Sequence, residues 1–71
     1  MTDTKMLRQL IDESGYKLRF IAEKCGLTYQ GLLPKINGER DFDQTEIAAL
    51  RTLLHLDQDQ VDAIFFGLEV D

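Results

Sequence analysis

Ala22 and Gly26 stand one helical turn apart between two short apolar runs, and Leu27-Thr28 follows at once. The small side chain at 22 lets the next helix approach closely. Gly26 can take the left-handed backbone conformation that a tight interhelical turn requires. Leu27 and Leu32 are spaced to fill the angle between the helices, and Thr28 offers a hydroxyl oxygen to cap the second. Two helices that cross steeply through a short turn make these steric demands, so residues 18–38 are expected to form a helix-turn-helix whose second helix starts near Thr28.

The rest of the chain reads in the same way. Met6, Leu7, Leu10 and Ile11 recur at three- and four-residue spacing, which predicts an amphipathic helix over 4–13 that Ser14-Gly15 ends. Leu18, Ile21, Ala22 and Cys25 repeat the pattern in a second helix stopping at Gly26. The third carries Leu32, Leu33 and Ile36 and is closed by Asn37-Gly38. A loop from Glu39 to Phe42 follows, anchored by Phe42. Asp43 with Glu46, and Asp57 with Gln60, have the spacing of capping boxes. They open a fourth helix with Ile47, Leu50 and Leu54 inward, and a fifth with Val61, Ile64, Phe65 and Leu68 inward. No segment alternates with period two, so the expected fold class is all-α, five helices in a single domain over 1–71, with no linker or repeat. Pro34 falls inside the third helix and removes the amide that would bond the Gln30 carbonyl, so a kinked or early-ending helix is expected.

Size and charge narrow the function. At 71 residues there is little room for an enzyme pocket beside a core, and one cysteine excludes an internal disulfide. The absence of a leader or long apolar run gives the expectation of a cytoplasmic protein without membrane contact. A net charge of −5 is awkward for a nucleic-acid binder, but it is unevenly spread. Residues 15–40 hold Lys17, Arg19, Lys24, Lys35 and Arg40 against Glu23 and Glu39, a local +3, while 41–71 hold Arg51 against eight carboxylates. The basic charge sits where the motif is.

The run Ile21-Ala22-Glu23-Lys24-Cys25-Gly26-Leu27-Thr28, followed by Leu32-Leu33-Pro34-Lys35-Ile36-Asn37-Gly38, resembles the Cro/C1-type family of helix-turn-helix regulators, in particular small phage or prophage proteins. The likeness extends more loosely from residue 5 to about 66. It implies a five-helix, lambda-repressor-like domain that binds double-stranded operator DNA as a homodimer, with the recognition helix in the major groove. Carried over position by position, it places Thr28, Tyr29 and Gln30 at the bases. Gln30 suits an adenine edge, and Thr28 or Tyr29 a phosphate or a thymine methyl. Lys17, Arg19, Lys35, Asn37 and Arg40 would hold the flanking phosphates, although each charge taken alone also reads as a solvated surface residue. Gly31 would leave that face low, or is simply tolerated in the helix. Leu18 departs from the family, many members of which have a phosphate-bonding glutamine there, so that contact is either missing or moved to Arg19.

Other candidates are weaker. His55 lies at a helix end where positive charge suits the dipole, and Cys25 falls on an apolar face as a core residue. Asp41-Phe42-Asp43 and Asp57-Gln58-Asp59 lack the glycine and distal glutamate of a calcium loop, so neither metal nor cofactor is expected. Nothing implies catalysis or a small-molecule substrate. Phe65 and Leu68 are expected in the core, leaving Phe66 and Val70 for a dimer contact. The competing reading is a protein-interaction module, an antirepressor or adaptor, that keeps the shape, no longer binds DNA and uses the acidic half to meet a basic partner.

Overall fold

The computed structural model describes residues 1–68, which form five α-helices and no strand. They are α1 (Thr4–Ser14), α2 (Leu18–Lys24), α3 (Tyr29–Ile36), α4 (Gln44–Leu54) and α5 (Gln58–Phe65). Side chains cap four of the five starts. Asp3 accepts the Met6 N–H at 3.0 Å and Thr28 Oγ1 accepts the Gly31 N–H at 3.0 Å. Asp43 with Glu46, and Asp57 with Gln60, form reciprocal capping boxes. Such caps contribute about 1 kcal/mol each by satisfying otherwise orphaned amides. Only α2 starts without a side-chain cap, at Lys17.

The helix ends are equally local. At the end of α2 the Leu27 N–H reaches back to the Ala22 carbonyl at 2.8 Å across Gly26, whose φ is 72°. The end of α3 repeats this with the Glu39 N–H on the Pro34 carbonyl at 2.8 Å across Gly38, φ 82°. Both follow the αL closure with a six-to-one hydrogen bond. Pro34 does not end α3, which continues to Ile36 and stops where Asn37-Gly38 place it. The proline lies in the last turn, where its carbonyl accepts the closing amide, so its ring costs the helix one donor. The end of α4 uses the same closure without glycine: His55 has φ 55° and ψ 47°, and the Leu56 N–H bonds the Arg51 carbonyl at 2.9 Å.

Every helix contributes at least one side chain with no exposed surface: Leu7, Ile21, Leu32, Ile36, Leu50 and Ile64. Around them lie Ile11, Ala22, Cys25, Phe42, Leu56, Val61 and Phe65, all buried. Phe42 anchors its loop edge-on against Phe65, with ring centroids 5.6 Å apart. α1 packs on α3, α4 and α5, and α4 on α1, α2 and α5, so these two helices form the frame on which the α2–α3 pair is mounted. Buried Thr2 and the Asp3 N–H, which donates to the Ile64 carbonyl at 2.6 Å, strap the first residues to α5.

Leu68 departs from expectation. It is 55% exposed rather than part of the core, because α5 ends at Phe65 and the chain turns through Gly67 at φ 64°. Helical periodicity therefore stops before it reaches residue 68. Phe66 is 53% exposed, and Val70 lies outside the described residues.

Candidate nucleic-acid interface

The α2–α3 pair is held by sterics at its inner face. Ile21, Ala22 and Cys25 of α2 and its turn are buried with Leu32 and Ile36 of α3, and Leu27 packs against this group at the bend. Lys17, Arg19, Thr28, Gln30 and Arg40, before, within and after the pair, are all exposed, and Tyr29 is half-buried. Thr28 sets the start of α3, and its hydroxyl oxygen is occupied by the Gly31 amide. A methyl group on Gly31 would lie 3.2 Å from that oxygen, so the missing side chain keeps the cap unobstructed. Gln30, in the first turn, has no side-chain hydrogen-bond partner among the described residues.

Arg19 and Tyr29 come together across the two helices, with the guanidinium carbon 4.6 Å from the ring centroid. Arg19 is the second residue of α2, whose first turn holds no acidic residue. A cation near a helix N-terminus opposes the dipole, and Glu23, four residues on, is the one acidic residue of α2 but forms no ion pair with Arg19. Leu18 beside it is half-buried and packs on the core. On the next turn of α2, Lys24 lies 5.3 Å from the Phe20 ring centroid, and Tyr16 and Phe20 are 5.1 Å apart.

Two of the expected phosphate contacts have partners within the protein, Lys35 in a part-buried ion pair and Asn37 through its side-chain oxygen at the surface. Lys35 donates to Glu46, and the two side chains retain only 17% and 7% of their surface. Glu46 also accepts the Asp43 N–H at 3.0 Å, so one carboxylate closes the α4 capping box and ties α3 to α4. Asn37 accepts a hydrogen bond from Arg8, which links the end of α3 to α1. Of the expected phosphate contacts, Lys17, Arg19 and Arg40 remain as exposed cations with no ion-pair partner among the described residues.

The Asp43-Glu46 spacing marks Glu46 as a capping residue but does not reveal its partner Lys35, and nothing in the sequence marks Arg8. Neither pairing has a local signature, because the partners lie 11 and 29 residues apart in the chain. Cys25 neighbours the same ion pair. Burial, with the Glu46 carboxylate second, pushes its thiol up to about 11, with Asp43 adding and Lys35 opposing, so the sulfur is a core atom and not a nucleophile.

Elsewhere, a groove of about 600 Å³ between α2 and α4 is lined by Tyr16, Lys24, Ala48, Ala49, Thr52, Leu53 and His55. Among the described residues no group of three or more histidine, cysteine or acidic side chains is placed to hold a metal ion, and no helix is long and apolar enough to cross a membrane. Comparison with protein-family models, curated proteins and solved structures finds no match to this chain.

Proposed function

We propose that the chain is a sequence-specific DNA-binding regulator of transcription, of the Cro/C1 type, built as a lambda-repressor-like domain with a helix-turn-helix at residues 18–38. The observation that carries this reading is the outer face of the α2–α3 pair. There an exposed, unpartnered Gln30 stands in the first turn of a capped helix, flanked by the exposed cations Lys17, Arg19 and Arg40. A glutamine amide both donates and accepts, and so fits the N6–N7 edge of adenine in the major groove. The three cations suit the phosphates on either side, which supply affinity without sequence information. Thr28 caps α3 through its oxygen and keeps its hydroxyl hydrogen for a phosphate, Asn37 accepts from Arg8 and keeps its exposed amide N–H donors, and only Lys35 is paired away, with Glu46.

The regulator acts as a homodimer. Phe66 and Leu68, more than half exposed at the end of α5, supply an apolar contact, which would set two recognition helices about one DNA turn apart on a roughly palindromic operator. Phe66→Ser should shift the protein to monomer in sedimentation.

The test is selection of bound sites from random duplex DNA with wild type and Gln30→Ala. Wild type should enrich a rough palindrome, and the variant should lose discrimination at one position per half-site by about 1–3 kcal/mol. No enrichment by wild type overturns the reading. The internal pairing of Lys35 and of Asn37, with a net charge of −5, favours the second reading, a protein-interaction module with a basic partner. Salt separates the two: binding to duplex DNA falls with log salt by about 0.9 per phosphate contacted, whereas the module shows no duplex binding at low salt.

A further inference from the structure

We propose that the Tyr29 ring holds the Arg19 guanidinium as a preset phosphate-binding group at the start of α3, making Tyr29 a positioning residue instead of a base reader. The proposal rests on the DNA-binding reading above and deepens it. Arg8 donates to Asn37, Lys35 to Glu46 and Arg51 to Gln58, so three other cations are committed to internal hydrogen bonds. Arg19 has no such bond among the described residues; it is exposed, yet it is held by a side chain of α3 at 4.6 Å.

The chemistry of that contact matters. Stacking on a ring uses the face of the guanidinium and leaves the N–H donors at its rim free, and a phosphate can accept two of them side by side. An unrestrained arginine loses rotamer freedom on binding an anion, whereas one already stacked loses less. Tyr29 is the first residue of α3, directly after the Thr28 cap that sets the backbone there, and its side chain is half-buried. One face of the ring is occupied by Arg19. Gln30, next in the chain, is left as the side chain of the first turn that is free to meet a base, and the clamp sets where α3 lies relative to one backbone strand.

The experiment uses the full chain and a duplex enriched by the wild type, with affinity measured across a salt series and thermal melts run on every variant. Tyr29→Phe keeps the ring and should match wild type in affinity, salt slope and base preference. Tyr29→Leu should weaken binding roughly two- to fivefold. Arg19→Gln should weaken it roughly tenfold and make the salt slope shallower by about 0.9 per bound protomer. In the Arg19→Gln background, Tyr29→Leu should change affinity by less than about twofold, because the ring then has nothing to hold. Arg19→Lys is a surface change that leaves the fold intact whatever Tyr29→Leu does. It keeps the charge without the planar fork, and should weaken binding while preserving the slope. Additive losses from Arg19→Gln and Tyr29→Leu, an Arg19→Lys protein equal to wild type, or an altered base preference in Tyr29→Phe would each overturn the clamp while leaving the DNA reading standing. A wild type without salt-dependent duplex binding overturns both.

Discussion

Replacing Glu46 separates the two jobs that one carboxylate performs. It accepts the Asp43 N–H as the third residue of the capping box and receives the Lys35 ammonium, with 7% of its side-chain surface left to solvent. Breaking a fully buried ion pair by removing one partner costs about 3–5 kcal/mol. The Lys35 side chain keeps 17% of its surface, enough for its ammonium to recover some hydration, so Glu46→Gln should cost less, about 1–2 kcal/mol. The glutamine would still close the box, as Gln60 does at the start of α5. Glu46→Ala removes both interactions and should cost about 3 kcal/mol, a large share of the roughly 4–10 kcal/mol that a domain of this size commands. Lys35→Met leaves the carboxylate buried beside a single amide and should cost about 2–3 kcal/mol, while Lys35→Met/Glu46→Gln should regain most of the loss. Urea denaturation measures all four, with the slope of each transition compared to show that only stability has changed. Glu46→Gln and Lys35→Met each within about 0.5 kcal/mol of wild type, or losses that simply add in the double variant, would refute the coupling of α3 to α4 through this pair. The same variants bear on function. If the chain binds DNA as proposed, a Lys35 engaged with Glu46 predicts that Lys35→Met lowers stability without changing the salt slope of that binding.

Three further expectations follow from the helix ends and the buried thiol. Gly38 has φ 82°, and a methyl group there would meet Thr4 Cγ2 at 3.0 Å, so Gly38→Ala should cost at least about 1–2 kcal/mol. Thr4→Ser, which removes that methyl, should restore the steric part in a thermal melt and leave the backbone part lost. His55 takes the left-handed conformation without being glycine, and His55→Gly should raise stability by about 1 kcal/mol, or roughly 4–8 °C in Tm, with DNA binding unchanged. The Cys25 thiol is held up at about 11 against an ordinary 9.0. Below about pH 9 both folded and unfolded chains keep the proton and this group adds no pH dependence; between about 9 and 11 the unfolded chain ionises first, so stability falls by roughly 2 kcal/mol across that window. Cys25→Ala should lack this alkaline loss in the wild-type minus variant difference, and an identical pH profile for both proteins would refute it.

What the amino-acid order determined by itself is what can be decided within about one turn of helix. The Asp43-Glu46 and Asp57-Gln60 boxes, the Thr28 cap and the Gly26 and Gly38 closures all appear where the sequence places them. Each depends on partners no more than five residues apart, so its physics is written locally. Tertiary structure decided the assignments that need a second element. Whether Lys35 meets a phosphate or Glu46 depends on how α3 crosses the start of α4, and whether Asn37 is free depends on Arg8 reaching it from α1. The pairing of Arg19 with Tyr29 arises from the angle between α2 and α3, and Leu68 is expelled from the core because the helix stops short of it. A charge on a helix face carries no sign of what will be packed opposite. That is why the ends of α2 and α3 could be read from Gly26, Thr28 and Gly38, while the roster of side chains free to touch a ligand could not.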